Sequence, residues 1–121
     1  EGEANVTTKD GHGLSMSDKA KIVKLLTKGG RKLMMSDKNR KVDIEGGEIT
    51  LTGATKITLK VGSNKIVLSS SGIEISGTQV NVKANAKASV EGSMVDVKGK
   101  ATVNVQCSGM TKVAGSLLKL N

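Results

Sequence analysis

The chain has no phenylalanine, tryptophan, tyrosine or proline, and only one cysteine and one histidine in 121 residues. Aromatic side chains bury ~150–250 Å² each, so a core built without them is thin and lined with small aliphatic residues. That argues against a thick single-chain sandwich. A lone cysteine forms no intramolecular disulfide, so nothing demands an oxidising compartment, and synthesis in the cytoplasm is expected. No apolar run approaches the ~18–20 residues that span a bilayer. Glu1-Gly2-Glu3-Ala4 has neither the basic start nor the apolar stretch of a signal peptide. Gly-x-Ser-x-Gly and Gly-x-x-x-x-Gly-Lys are both missing, and one His plus one Cys make no metal set. Neither catalysis nor a metal or cofactor is expected.

What the chain does have is 15 glycines and a net charge of +8. The charge is even: residues 1–62 carry 12 basic and 8 acidic groups, and residues 63–121 carry 7 and 3. There is no basic tail, and no aromatic on which a base could stack. The clusters Lys28 to Lys32 and Lys38 to Lys41 therefore read as solvated or edge-protecting lysines, and no specific nucleic acid is expected.

Alternation dominates the second half. From Val80 to Val90 every even position is Val or Ala and every odd one Asn, Lys or Ser. From Val95 to Cys107 the odd positions are Val, Gly, Ala or Cys, with Asp, Lys, Thr, Asn and Gln between. This period of two predicts strands with one buried face. Eleven extended residues at ~3.3 Å would reach roughly 36 Å, about twice a usual strand, so the chain must bend. The inward parity flips after Gly77 and again after Gly92, which predicts corners there and at Gly99, Gly109 and Gly115. Glycine spacing alone gives no regular rung. With no hairpin signal and no long loop from Ile73 to Leu120, progressive winding is the surviving geometry.

The first half carries a near-repeat at a spacing of 19. Leu14-Ser-Met16-Ser17-Asp18-Lys19 is echoed by Leu33-Met-Met35-Ser36-Asp37-Lys38, Val23 and Leu25 by Val42 and Ile44, and each copy reaches a Gly-Gly pair. Ser-Asp-Lys is turn chemistry. Each copy is expected to be a hairpin, with a third one from Ile57 to Leu68 around Gly62-Ser-Asn. A helix over Asp18 to Lys28, capped by Ser17, competes for the first copy. The second copy has no helical stripe, which favours hairpins in both.

A strand faced with Val and Ala must lay that face against something. Three copies wound around one axis leave room inward only for small residues and pair one another's edges. The predicted axis-facing set is Val80, Val82, Val90, Val95, Val97, Val103, Val105 and Val113. Cys107 has the same parity and reads as a small hydrophobe. Glu74, Glu91 and Asp96 point outward, toward lysines on neighbouring strands. Met34, Met35 and Met110 are expected to fill gaps near corners.

Val90-Glu-Gly92-Ser-Met-Val-Asp-Val-Lys-Gly99, Val103-Asn-Val105-Gln-Cys-Ser-Gly109 and the ending Val113-Ala-Gly-Ser-Leu-Leu-Lys-Leu-Asn121 resemble the C-terminal needle of valine-glycine-repeat (VgrG) and phage tail spike proteins. The resemblance implies an all-β fold in which hairpin repeats over residues 1–68 lead into an intertwined triple-stranded β-helix over residues 69–121. It implies a homotrimer at the tip of a contractile injection machine, a type VI secretion system or a phage-tail-like particle. Such a needle pierces the target envelope with transient membrane contact, and sheath contraction delivers it from the bacterial cytoplasm to the extracellular space or a target cell. An N-terminal hub, missing from this sequence, would join it to the tail tube. Leu117, Leu118, Lys119, Leu120 and Asn121 would receive a proline-alanine-alanine-arginine (PAAR) repeat cap protein. Some phage spikes end in a His-x-His iron site, but His12 is at the wrong end for one. The competing reading is a β-solenoid adhesin domain that holds a polyanionic ligand on its lysines. A polysaccharide hydrolase is disfavoured for want of sugar-stacking aromatics.

Overall fold

The structure, a computed structural model, describes residues 2–121, and among these there is no helix. Two compact units divide between Thr78 and Gln79.

The first unit is built from hairpins. Strands β1 (Glu3–Thr7), β2 (Gly13–Ser17), β3 (Ile22–Leu26), β4 (Lys32–Ser36) and β5 (Lys41–Glu45) form an antiparallel meander in chain order. Strands β6 (Lys56–Val61), β7 (Asn64–Ser69) and β8 (Gly72–Ser76) form a second. The hairpins expected around Asp18, Asp37 and Gly62 are all present, and the competing helix at 18–28 is not. Gly72–Ser76, assigned by alternation to the start of the winding stretch, pairs antiparallel with β7 instead. Two serines, Ser70 and Ser71, suffice to reverse the chain there, which glycine and asparagine signals did not reveal.

The 19-residue repeat is structural, and it begins earlier than Leu14. Lys21 donates its backbone N–H to the Asp18 carbonyl at 3.3 Å, and Arg40 donates to Asp37 at 3.2 Å. The Ser17 hydroxyl accepts from Ala20 N–H, and the Ser36 hydroxyl from Asn39 N–H. These bonds hold Lys21 and Arg40 at φ 54° and 52°, a region few side chains other than Asn or Asp enter freely. At the opposite sheet end, Gly11 donates to the Thr8 carbonyl and Gly30 to Thr27, both with left-handed φ. The loop at 8–12 is thus a copy of the loop at 27–31, and β1, β3 and β5 are equivalent strands.

Met34 and Met35 lie mid-strand in β4, not at a corner. Met35 belongs to an apolar row and Met34 to the polar face, where it pairs with Lys24 and Asp43.

The second unit, Gln79 to Asn121, contains no strand paired within the chain. Its runs are interrupted by bends at Asn85-Ala86, Ser93-Met94, Lys100-Ala101, Ser108-Gly109 and Ser116, steps of seven or eight residues. The bends bring out a motif in the sequence, apolar-x-apolar-x-small. It recurs as Val80 to Ala84, Ala88 to Gly92, Val95 to Gly99 and Val103 to Cys107, and Thr111 to Gly115 follows with threonine in the first apolar position. A regular rung therefore exists, contrary to the expectation from glycine spacing.

Candidate functional site

Residue alternation places every apolar side chain of the five-stranded sheet's one face in two rows. Ala4, Met16, Val23, Met35 and Val42 face one another across successive strands, and so do Val6, Leu14, Leu25, Leu33 and Ile44. The three-stranded sheet repeats the plan with Ile57, Leu68 and Ile73 in one row and Leu59, Ile66 and Ile75 in the next. Such rows normally lie in a core. Here they are open, from 37% exposed at Val23 to 66% at Val6 in the larger sheet.

Among the described residues no hydrophobic side chain is buried, and the one buried residue is Ser36. The chain exposes 11833 Å². A compact protein of 12.5 kDa exposes about 6,200 Å². Two compact units of that total mass would expose only ~7,400 Å². The surplus includes the open aliphatic rows, and apolar area at about 25 cal/mol per Å² is a drive for association.

Each residue predicted to face a trimer axis is exposed in the single chain, from 51% at Val95 to 85% at Val90. Val80, Val82, Val97, Val103, Val105 and Val113 fall within that range. Leu117, Leu118 and Leu120 at the end are exposed as well, beside Lys119 and Asn121. Of the glycines, Gly77, Gly92, Gly99 and Gly115 immediately precede bends and Gly109 lies in one, while the bend at Asn85-Ala86 follows Ala84. None of Gly92, Gly99, Gly109 and Gly115 has a left-handed φ. Room is the constraint at Gly99, where a Cβ would collide with the Thr102 carbonyl oxygen and lie 2.9 Å from Val103 Cγ2. Nothing comes within 4 Å of one at Gly109.

The backbone is as unpartnered as the side chains. Among the described residues, no backbone hydrogen bond is formed from Gln79 to Asn121. The only side-chain bond there joins Cys107 Sγ and Thr111 Oγ1 at 3.3 Å, with the thiol exposed. Amides and carbonyls lodged in a folded protein are nearly always paired. This stretch has the strand sequence and lacks the partner strand.

Charge is confined to the opposite faces. Lys32 and Glu45, paired across β4 and β5, meet at 2.9 Å, Lys41 and Asp43 at 2.9 Å, and Lys65 reaches Glu74 at 3.3 Å. Glu74 thus finds the lysine expected for it, whereas among the described residues Glu91 and Asp96 form no ion pair. The Glu45 carboxylate, by hydrogen bond and by charge, raises the Lys32 ammonium above its ordinary value. His12 Nδ1 accepts the Lys28 backbone N–H at 3.3 Å, tying neighbouring loops together.

No group of three His, Cys, Asp or Glu residues that could hold a metal occurs among the described residues. No helix is long and apolar enough to cross a membrane. A wide-open depression of ≈ 330 Å³ is lined by residues 51–57 and Leu68 to Ser70, with no histidine or carboxylate in it. A family model described as the phage baseplate V C-terminal trimerisation domain matches residues 21–103. No curated protein matches the chain.

Proposed function

From the premise that this chain belongs to the phage baseplate V C-terminal trimerisation domain family, we propose that it is the needle of a contractile injection machine, assembled as a homotrimer. Its role in a phage-like baseplate is structural, not catalytic. The observation that carries the reading is a chain with two complete sets of apolar rows and a long valine-rich strand sequence, and no buried apolar residue among those described. Two further copies would supply both what the rows lack and what the backbone of residues 79–121 lacks.

In the proposed assembly the valines from Val80 to Val113 meet near a threefold axis and the stretch after β8, residues 79–121, winds as a triple-stranded β-helix. Lysines then form the wet exterior. Leu117, Leu118 and Leu120 from three chains make a blunt apolar end, a surface that calls for a cap of the proline-alanine-alanine-arginine repeat kind. The particle would be a type VI secretion system or a phage tail, with a hub joining the needle to the tail tube. Made in the bacterial cytoplasm, the needle would leave it on sheath contraction and pass through a target membrane.

Light scattering of the purified chain tests this reading. A mass of three chains that persists on dilution is expected. A mass of one chain with cooperative unfolding would sink it and favour a solenoid that binds a polyanion on its lysines.

A further inference from the structure

The chain leaves its own sheet at a place where it had the means to stay. β5 ends at Glu45, and Gly46-Gly47 follows, a pair suited to the left-handed φ angles of a two-residue hairpin. Ile49-Thr50-Leu51-Thr52 comes next, with a strand's alternation. A return hairpin would set Ile49 against Ile44 and Leu51 against Val42, extending both apolar rows by one strand. It does not form. Neither Gly46 nor Gly47 takes a left-handed φ, whereas Gly11, Gly30 and Gly62 at real reversals do. Residues 48–52 have no strand partner in the chain, Ile49 and Leu51 are exposed, and the outer edge of β5 is open.

The sequence around this exit has the same form as the winding unit. Val42-x-Ile44-x-Gly46 and Ile49-x-Leu51-x-Gly53 are two successive copies of apolar-x-apolar-x-small, seven residues apart. Seven or eight is also the interval between bends after Thr78. The pattern of the winding unit is thus already present at Val42 to Gly53, ahead of the β6 to β8 sheet.

We propose that Glu48–Thr52 is an exchanged strand that adds to the open edge of β5 in a second copy of this chain. The proposal rests on the trimeric reading and names where one chain first crosses to the next. Because the chain runs onward at Gly46-Gly47, the added strand lies parallel to the neighbour's β5. The apolar positions align Val42 with Ile49 and Ile44 with Leu51, so both rows continue into a chain other than their own. Each chain donates one strand and receives one, which closes in a ring of three.

Asp43 and Thr50, on the polar faces, then stand opposite one another, as they also would in a return hairpin. Linking them therefore tells which chain is the partner. In full-length protein carrying Cys107→Ser, the double variant Asp43→Cys with Thr50→Cys is treated with a short bismaleimide, denatured and sized, and its native mass is measured beforehand. A native trimer that becomes predominantly covalent trimer is the expected result. A native trimer giving only internally linked monomer, or no link, overturns the exchange and leaves the trimer standing. A native monomer overturns the trimeric reading and the exchange with it. Co-expressing the two single-cysteine chains provides a second measurement in which each chain bears one change. Covalent pairs of unlike chains are expected, and their absence from a native trimer overturns the exchange.

Discussion

Lys32 illustrates how little a single charged contact decides in this molecule. Its ammonium is held by Glu45 at 2.9 Å, and its pKa is raised above 10.5 by that partner. A group whose pKa is higher folded than unfolded adds stability below the unfolded value and loses it as pH climbs through the folded one. The pair should therefore leave stability flat with pH through neutrality and weaken it only above pH 10.5. Denaturant melts of wild type and Lys32→Met should run parallel below that pH and converge above it. Convergence between pH 6 and 9 would mean another group is responsible. Exposed pairs of this kind contribute little because solvent screens them, so the fold's energy lies elsewhere. At the same scale Ser17 and Ser36 were readable as turn residues, and the structure gives their hydroxyls that task. The left-handed Lys21 and Arg40 were not readable, because no residue preference marks lysine or arginine for that φ.

At the scale of elements, the turns were legible because Ser-Asp-Lys and Gly-Ser state their chemistry locally. The repeat's first copy was harder to see, since Thr8, Lys9 and Gly11 match Thr27, Lys28 and Gly30 while β1 and β3 share no residue at matched positions. The rung escaped for a different reason. Its step is eight in three intervals and seven in one, and Ala84 and Cys107 fill the small position that a search for glycine expects. The proposed division of inward and outward positions by parity is open to test. Val97→Lys would place three ammonium groups around a dry axis at several kcal/mol each, against a total stability of ~5–15 kcal/mol for an ordinary domain. It should abolish assembly. Lys98→Glu, one position on, should change stability by no more than ~0.5 kcal/mol. Sedimentation of both variants decides, and equal behaviour would remove the parity assignment.

For the whole molecule, a chain with no buried apolar residue among those described gains little by folding alone. Folding and association become one event, and the rate of that event depends on how often chains meet. Refolding from denaturant, followed by circular dichroism, should slow steeply as protein is diluted, whereas unfolding should be independent of concentration. A refolding rate indifferent to dilution would show a chain that folds first and assembles later. Composition points the same way, since 36% apolar residues without one aromatic make only a thin core. The strand pairing between chains could not be inferred, because one chain's sequence carries no record of its neighbour's register.

The equivalence of β1, β3 and β5 gives the first sheet a property of a ruler. Deleting residues 20–38 would join Lys19 to Asn39 and recreate the turn Asp-Lys-Asn-Arg that already stands at 37–40, with a strand running the same way on either side. Inserting another copy does the reverse. The reach of this part of the molecule is therefore divisible into increments of one hairpin, and lineages could lengthen or shorten it without redesigning either end.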